Sequence, residues 1–131
     1  MTDDLVQFLR ARLDETAAKA RAHRQASADW YYDDSAKEIR DRVNSGTVAF
    51  VPAHADAEHI ARHDPARVLA EVDAKRQIVA RYERAMDNRR AHPADLASAG
   101  AFLALHGAVK LLGLPYADHP NYRPEWAPDP A

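Results

Sequence analysis

Cysteine is absent from the 131 residues, and glycine occurs only four times. Without cysteine the chain offers no disulfide framework, no thiolate zinc site and no cysteine nucleophile. Because no uninterrupted run of about 18 apolar residues occurs, we expect no membrane-spanning segment. The net charge of -2 argues against a polycation for nucleic acid or membranes. The first eight residues are acidic, unlike a signal peptide. The sequence therefore predicts a cytoplasmic protein with no membrane association and no cofactor.

Alanine is abundant by contrast, with 28 residues, beside 14 arginines and four lysines. Alanine is the best helix former and takes up little space. A chain of this length can bury one core without a disulfide or metal. We therefore expect a single domain over residues 1–131 that is mainly helical, with close contacts between helices.

The first half of the chain predicts a helix followed by a small sheet. Leu5, Phe8, Leu9 and Leu13 form one apolar stripe of a helix over 1–24, which Thr2 can cap. Alternation and a turn signal predict an antiparallel hairpin or three-stranded meander over 28–52. The part from 33 to 41 could form a short helix instead.

Three further helices are predicted, over 56–63, 65–90 and 93–112. Asp56 can cap the short helix, and Asp64 followed by Pro65 is a strong start signal for the long one. The helix over 93–112 is apolar almost all round, which predicts a core helix buried on most sides. Two glycines on it, Gly100 and Gly107, share a face and indicate close approach of another helix.

The last 18 residues hold five of the eight prolines, which predicts that residues 114–131 are extended. Gly113 is expected to end the preceding helix in a left-handed conformation. Tyr116, Tyr122 and Trp126 lie in this segment. They either dock onto the domain or form a partner-binding peptide, and a docked tail hides their apolar surface.

Histidines and carboxylates cluster around the predicted short helix. His59 and His63 are four residues apart, so both lie on one helix face and could hold a metal with Asp56. A metal-dependent enzyme at His54, His59 and His63 is thus one hypothesis. The alternative is a structural joint in which Asp64 caps a helix and His63 ends the one before it.

Arginines give the long helix a basic side, and Arg76, Arg81 and Arg84 are its candidate interaction residues. Such a face could bind a phosphate backbone or an acidic partner. Ion pairs within the helix, such as Asp73 with Arg76, favour a solvated surface instead.

Three blocks of the sequence carry a family resemblance. They are 1–15, the stretch from Thr47–Ala49 into Asp56–Arg76, and Leu111–Trp126. Together they resemble the actinobacterial domain of unknown function 6221 family, small proteins often encoded near phage or other mobile genes. The resemblance implies no activity. The segment 30–46 does not match, and a cysteine pair of many members is missing here, so any metal role of that pair does not transfer.

The sequence as a whole predicts an α+β fold, mainly α. An antiparallel helix pair packs with the N-terminal helix, beside the small sheet and under a proline-rich C-terminal strap. The leading functional hypothesis is a non-enzymatic, phage- or mobile-element-type accessory protein that acts through an unknown protein partner or as a homo-oligomer. A nucleic-acid-associated regulator and the metal-dependent enzyme are the alternatives.

Overall fold

The computed structural model describes residues 3–22 and 29–130. Within that part of the chain the helices are α1 (Asp4–Arg21), α2 (His54–Arg62), α3 (Pro65–Ala91) and α4 (Leu96–Gly113). The strands are β1 (Trp30–Asp33), β2 (Glu38–Asp41) and β3 (Thr47–Phe50), and 3-10 turns cover Leu114–Tyr116 and Pro124–Trp126. The predicted α+β, mainly helical class is confirmed.

A carboxylate fixes the start of α1. Asp3 Oδ1 accepts hydrogen bonds from the backbone N–H groups of Leu5 at 2.8 Å and Val6 at 3.2 Å. Such a cap satisfies N–H groups that have no partner within the helix. The predicted cap Thr2 and the predicted helical residues beyond Ala22 lie outside the described residues.

The sheet is the predicted three-stranded antiparallel meander, in the order β1-β2-β3. The stretch from 33 to 41 forms a turn and then β2, so the short-helix alternative is wrong. Asp41 holds the second turn, because its Oδ1 accepts from the backbone N–H groups of Val43 at 2.8 Å and Asn44 at 3.3 Å. Ser45 follows with φ 58°, which reverses the chain into β3.

Asp64 ties the start of α3 to the sheet. Its Oδ1 accepts from Arg67 N–H at 2.9 Å, the predicted cap, and its Oδ2 accepts from Trp30 N–H at 3.0 Å. The other predicted cap is wrong: α2 begins at His54, and Asp56 lies within its first turn. Acidic residues are favoured throughout a first turn by the helix dipole, so the residue type alone does not fix the boundary.

Both predicted ends of α4 are corrected. The helix starts at Leu96 because Asp95 accepts from Ala97 N–H, which leaves the predicted start at Pro93 in the preceding turn. At the other end Gly113 has φ -79°, a right-handed value, and the chain continues into the 3-10 turn. A Cβ on Gly113 would lie 3.6 Å from Leu5 Cδ1, which is an ordinary van der Waals contact, so neither φ nor space requires glycine there.

Contacts within the chain group into two compact units, Glu15–Val72 and Met1–Asp14 with Asp73–Ala131. The first contains the sheet, α2 and the start of α3, and Ile39 and Ala57 are fully buried in it. The second contains the main apolar cluster, to which α1, α3, α4 and the C-terminal segment all contribute. Its members are Leu5, Val6, Phe8, Leu9, Val79, Tyr82, Met86, Val109 and Trp126.

The C-terminal segment belongs to that cluster. Trp126 is buried, with its ring 5.1 Å from the Phe8 ring between centroids, and Tyr116 and Tyr122 pack partly buried against the same residues. This is the docked arrangement of the two predicted alternatives. The predicted extended conformation is wrong at the two 3-10 turns, which a proline in the first positions of each permits.

Candidate interaction surface

One face of α4 packs onto the rest of its unit. Phe102 stacks on Tyr82 of α3 with ring centroids 5.7 Å apart, and Val109 is fully buried in the main cluster. Leu105 and Leu112 extend this packed face. These residues recur at the three- and four-residue spacing of a single helix face.

The opposite face of α4 is apolar and exposed, and we call it the α4 apolar surface. It consists of Leu96, Gly100, Leu103, Ala104, Gly107, Leu111 and Leu114. The leucines are 87%, 62%, 59% and 46% exposed at positions 96, 103, 111 and 114. The predicted burial of α4 on most sides is therefore wrong, because its neighbours all contact one side of it.

The two glycines of the surface have open space above them. A Cβ on Gly100 or on Gly107 would meet no atom within 4 Å in the described part of the chain. The predicted close approach of another helix is thus not made within the described part of the chain. Glycine costs roughly 0.5–1 kcal/mol relative to alanine inside a helix, and no packing among the described residues offsets that cost here.

By length and composition alone, the stretch Leu96–Tyr116 could cross a membrane. It has 21 residues and a mean hydropathy of 1.4, and 11% of its apolar part is buried. The expectation of no membrane-spanning segment rested on the lack of an unbroken apolar run, which His106 and Lys110 interrupt here. A core helix of a soluble protein can have the same length and hydropathy, but it is mostly buried.

The surface has a groove along one edge. A cavity of about 570 Å³ lies between α4 and the end of the chain, with Leu103, Gly107 and Leu111 on one side and Pro128 on the other. Lys110 Nζ is 4.0 Å from Asp129 Oδ1 at this edge. The groove thus continues the apolar surface up to a polar boundary.

A second cavity, of about 530 Å³, lies between α3, α4 and the start of α1. Tyr82, Phe102 and His106 stack there, and the Arg89 guanidinium lies 4.6 Å from the Phe102 ring centroid. Burial raises the pKa of Tyr82 to about 12. Burial, and secondarily the Lys110 charge, lowers the pKa of His106. At neutral pH both rings are uncharged, which suits packing rather than proton transfer.

The histidine cluster is spread over α2 and its ends. His59 and His63 share a face, with ring centroids 4.5 Å apart, but His63 Nδ1 lies 2.8 Å from the carbonyl oxygen of His59. His54 Nδ1 lies 3.2 Å from Asp34 Oδ1 on the sheet side. Among the residues that the structure describes, no group of three or more histidine or carboxylate side chains, Asp56 included, could hold a metal ion.

The arginines of α3 differ in their partners. Arg76 pairs with Asp14 of α1 at 2.7 Å and lies 3.8 Å from Asp73. Arg81 and Arg84 are exposed, and neither forms an ion pair within residues 3–22 and 29–130. The predicted basic side is thus partly used for internal pairing and partly open to solvent.

The aromatic residues predicted as candidate interaction sites lie inward. Tyr116, Tyr122 and Trp126 pack around Phe8 with edge-on or tilted rings. His119, between them, contacts the Arg12 guanidinium through Nε2 and accepts from Asn121 N–H through Nδ1 at 3.0 Å. These contacts hold the tail to α1.

Sequence reasoning missed the leucines as surface residues. A helix that is apolar all round has no polar side to mark the solvent-facing direction. One signal was present in the spacing of small residues, since Gly100, Ala104 and Gly107 lie on one face between Leu96 and Leu111. A face of that composition is typical of a helix that another helix approaches closely.

A model of a family of unknown function, DUF6221, matches residues 2–128. No curated protein and no solved structure gives a significant match.

Proposed function

The chain belongs to DUF6221, a family of unknown function, and on that premise we propose that it is a non-enzymatic interaction protein that docks a helix on the α4 apolar surface. The exposure of three leucines on one face of the 18-residue helix α4, and of Leu114 in the turn that follows it, carries this proposal. The association with phage or mobile genes, which the family resemblance implies, is part of the proposal.

The size of the surface supports an interaction. If a leucine is assigned about 150 Å², the lower end of the range that aromatic side chains bury, the exposed fractions of these four leucines correspond to roughly 400 Å². Contiguous apolar patches of about 300–600 Å² are the largest on typical monomers and are often functional. The exposed alanines and glycines between the leucines add further apolar area.

The shape of the surface favours a helix as the bound element. The leucine side chains project on either side of a flat strip formed by Gly100, Ala104 and Gly107. The helix is about 27 Å long at 1.5 Å per residue. Side chains of a second helix insert between such projections, as ridges do into grooves. A narrow, deep pocket for a small molecule is not what this face provides.

A photoreactive side chain tests the proposal directly. We expect p-benzoylphenylalanine at position 103, introduced in cells, to give one protein adduct of defined mass that is lost when Leu111→Glu is added. The same probe at Ala74, exposed on α3, is the matched control and gives no such adduct. Adducts with lipid alone, or equal yields at both positions, would overturn the proposal.

A nucleic-acid-associated regulator is the second candidate. It is favoured by the solvent-facing arginines in the second half of α3, Arg81 and Arg84, which form no ion pair with the described residues. The affinity of a protein that binds through DNA phosphates falls steeply as the salt concentration rises. On a log–log plot of affinity against salt, the slope is about minus one for each phosphate contact. DNA binding that is lost in Arg81→Gln/Arg84→Gln but kept in Arg67→Gln supports this candidate. No binding at about 50 mM salt rules it out.

A further inference from the structure

We propose that the helix docked on the α4 apolar surface is α4 of a second copy of this chain, antiparallel to the first and related to it by a two-fold axis. This inference rests on the proposed function and names its partner. It follows from the order of residues along the surface, the open space at its glycines and its area.

The residues of the surface are arranged symmetrically about a point midway between positions 103 and 104. Leu96 and Leu111 are equally far from that point, and so are Gly100 and Gly107. In an antiparallel pair of α4 helices centred there, Leu96 of one copy lies beside Leu111 of the other. An interface between identical copies around a two-fold axis needs this kind of self-complementarity.

The glycines then meet each other on both sides of the axis. Around each glycine the space is open to at least 4 Å from the position of a Cβ, so nothing in residues 3–22 and 29–130 blocks the approach of a second backbone. Glycine is the residue that permits such close approach. The leucine pairs at the two ends close the contact beyond the glycines, and Leu114 lies level with Pro93 of the other copy.

The area approaches the lower limit for a specific dimer. Two copies of a surface of roughly 400 Å² from leucines alone give about 800 Å². The alanine and glycine backbone between them raises the total toward the ~1,000 Å² above which interfaces are specific. An antiparallel arrangement also sets the dipoles of the two helices in opposite directions, which is the favourable one.

Engineered cysteines test the geometry, because the chain has no cysteine of its own. Position 103 lies about 1.5 Å along the helix from its counterpart across the axis, whereas the two copies of position 96 lie about 22 Å apart. A disulfide needs Cα atoms roughly 4.4–6.8 Å apart. We therefore expect Leu103→Cys or Ala104→Cys to crosslink to itself under mild oxidation.

The outer positions distinguish the direction of the helices. Leu96→Cys alone and Leu111→Cys alone are expected to stay uncrosslinked, while a mixture of the two variants gives a mixed dimer. Self-crosslinking of each outer variant by itself means a parallel pair and overturns the proposal. Absence of any crosslink, together with a mass of 14.6 kDa by light scattering at high concentration, overturns it too.

A folding-neutral variant gives an independent readout. Gly100 and Gly107 are exposed, and a Cβ on either would meet no atom within 4 Å among the described residues. Leucine is also a better helix former than glycine. We expect Gly100→Leu/Gly107→Leu to weaken the dimer at least tenfold while its helical circular dichroism is kept. Ala74→Leu, which also adds a leucine at an exposed helix position but on α3, is the control, and its dimer dissociation constant is expected to be unchanged. An undiminished dimer in the double variant overturns the inference.

The outcomes separate this inference from the proposed function. If the protein is a monomer but the probe at position 103 still gives a specific photoadduct with another protein, the homodimer is overturned. The proposal that the α4 apolar surface binds a protein partner is then supported. A wild-type monomer that sediments with phosphatidylglycerol vesicles, when Leu103→Glu does not, overturns both, because the surface then binds lipid.

Discussion

The His106 ring lies almost parallel to the Tyr82 ring, with centroids 5.6 Å apart. Burial, helped by the charge of Lys110, lowers the pKa of His106 below 6.5, so the folded protein favours the neutral imidazole. In the unfolded chain the ordinary value returns. The unfolded state therefore binds more protons below pH 6.5, and the free energy of unfolding falls as the pH decreases through that range.

We predict that the free energy of unfolding drops less between neutral pH and about pH 5 in His106→Phe than in wild type. Phenylalanine keeps the stacked ring and removes the titrating group. Denaturant unfolding at each pH measures the difference, and an NMR titration of the His106 ring gives its midpoint. A midpoint at or above 6.5 would contradict the prediction.

Asp64 joins two local structures through one carboxylate, since it caps α3 and accepts from Trp30 N–H. Removing a cap costs about 1 kcal/mol, and a second N–H left without a partner adds a similar amount. We predict that Asp64→Ala loses about 2 kcal/mol of unfolding free energy, measured by chemical denaturation. Asp64→Asn, which keeps an acceptor at the cap, should lose clearly less; equal losses would refute the capping role.

The residues with local roles were predictable, and those with distant partners were not. The cap at Asp64 depends on the next three residues, so the sequence shows it. The second hydrogen bond of the same side chain is accepted from Trp30 N–H, 34 positions away. No pattern of residue spacing in the sequence predicts this bond. Arg76 forms the predicted pair with the neighbouring Asp73 at 3.8 Å, but its shorter pair, with Asp14 of another helix, was not predictable from spacing.

At the scale of elements, α3 and α4 show when periodicity is informative. A heptad-like stripe on α3 is predicted by the alternating four- and three-residue spacing of Val68, Val72, Lys75, Val79, Tyr82 and Met86. Of these, Val72, Val79, Tyr82 and Met86 are buried, and Val68 and Lys75 are only partly buried. Polar residues on the other side of α3 mark which face is solvated. In α4 both faces are apolar, so the sequence identified a helix but could not identify the packed side. The sheet was predictable because alternation and turn residues are local.

The segment that carries Trp126 is the element whose removal should cost most. The ring contacts Phe8 and Tyr122 and is 9% exposed. Truncating a buried aromatic to alanine costs about 3–5 kcal/mol. We predict a loss of about 3 kcal/mol for Trp126→Ala by denaturant unfolding. Val43→Ala, at an exposed turn position, should change stability by less than about 0.5 kcal/mol. A loss for Trp126→Ala as small as this control would mean that the tail is not docked in solution.

At the scale of the whole molecule, a dimer through α4 makes stability depend on concentration. Association with the folded chain alone raises the melting temperature as the protein concentration rises. We predict that Tm increases by a few degrees between the low and high micromolar range in wild type. Differential scanning calorimetry of Gly100→Leu/Gly107→Leu should show a Tm that is independent of concentration, and a concentration-dependent Tm in both would exclude α4 as the contact.

The packing of α1 against the C-terminal segment has a consequence for how the chain folds as it is synthesised. Asp4 pairs with Arg123, which is 119 positions later in the chain. Phe8 is covered by Trp126, which is synthesised near the end of the chain. The unit 15–72 is continuous, so it can form while the ribosome is still translating α4. The Phe8 side of α1, by contrast, is not covered by Trp126 until translation has passed residue 126. During that interval Phe8 is an apolar residue that a chaperone can recognise.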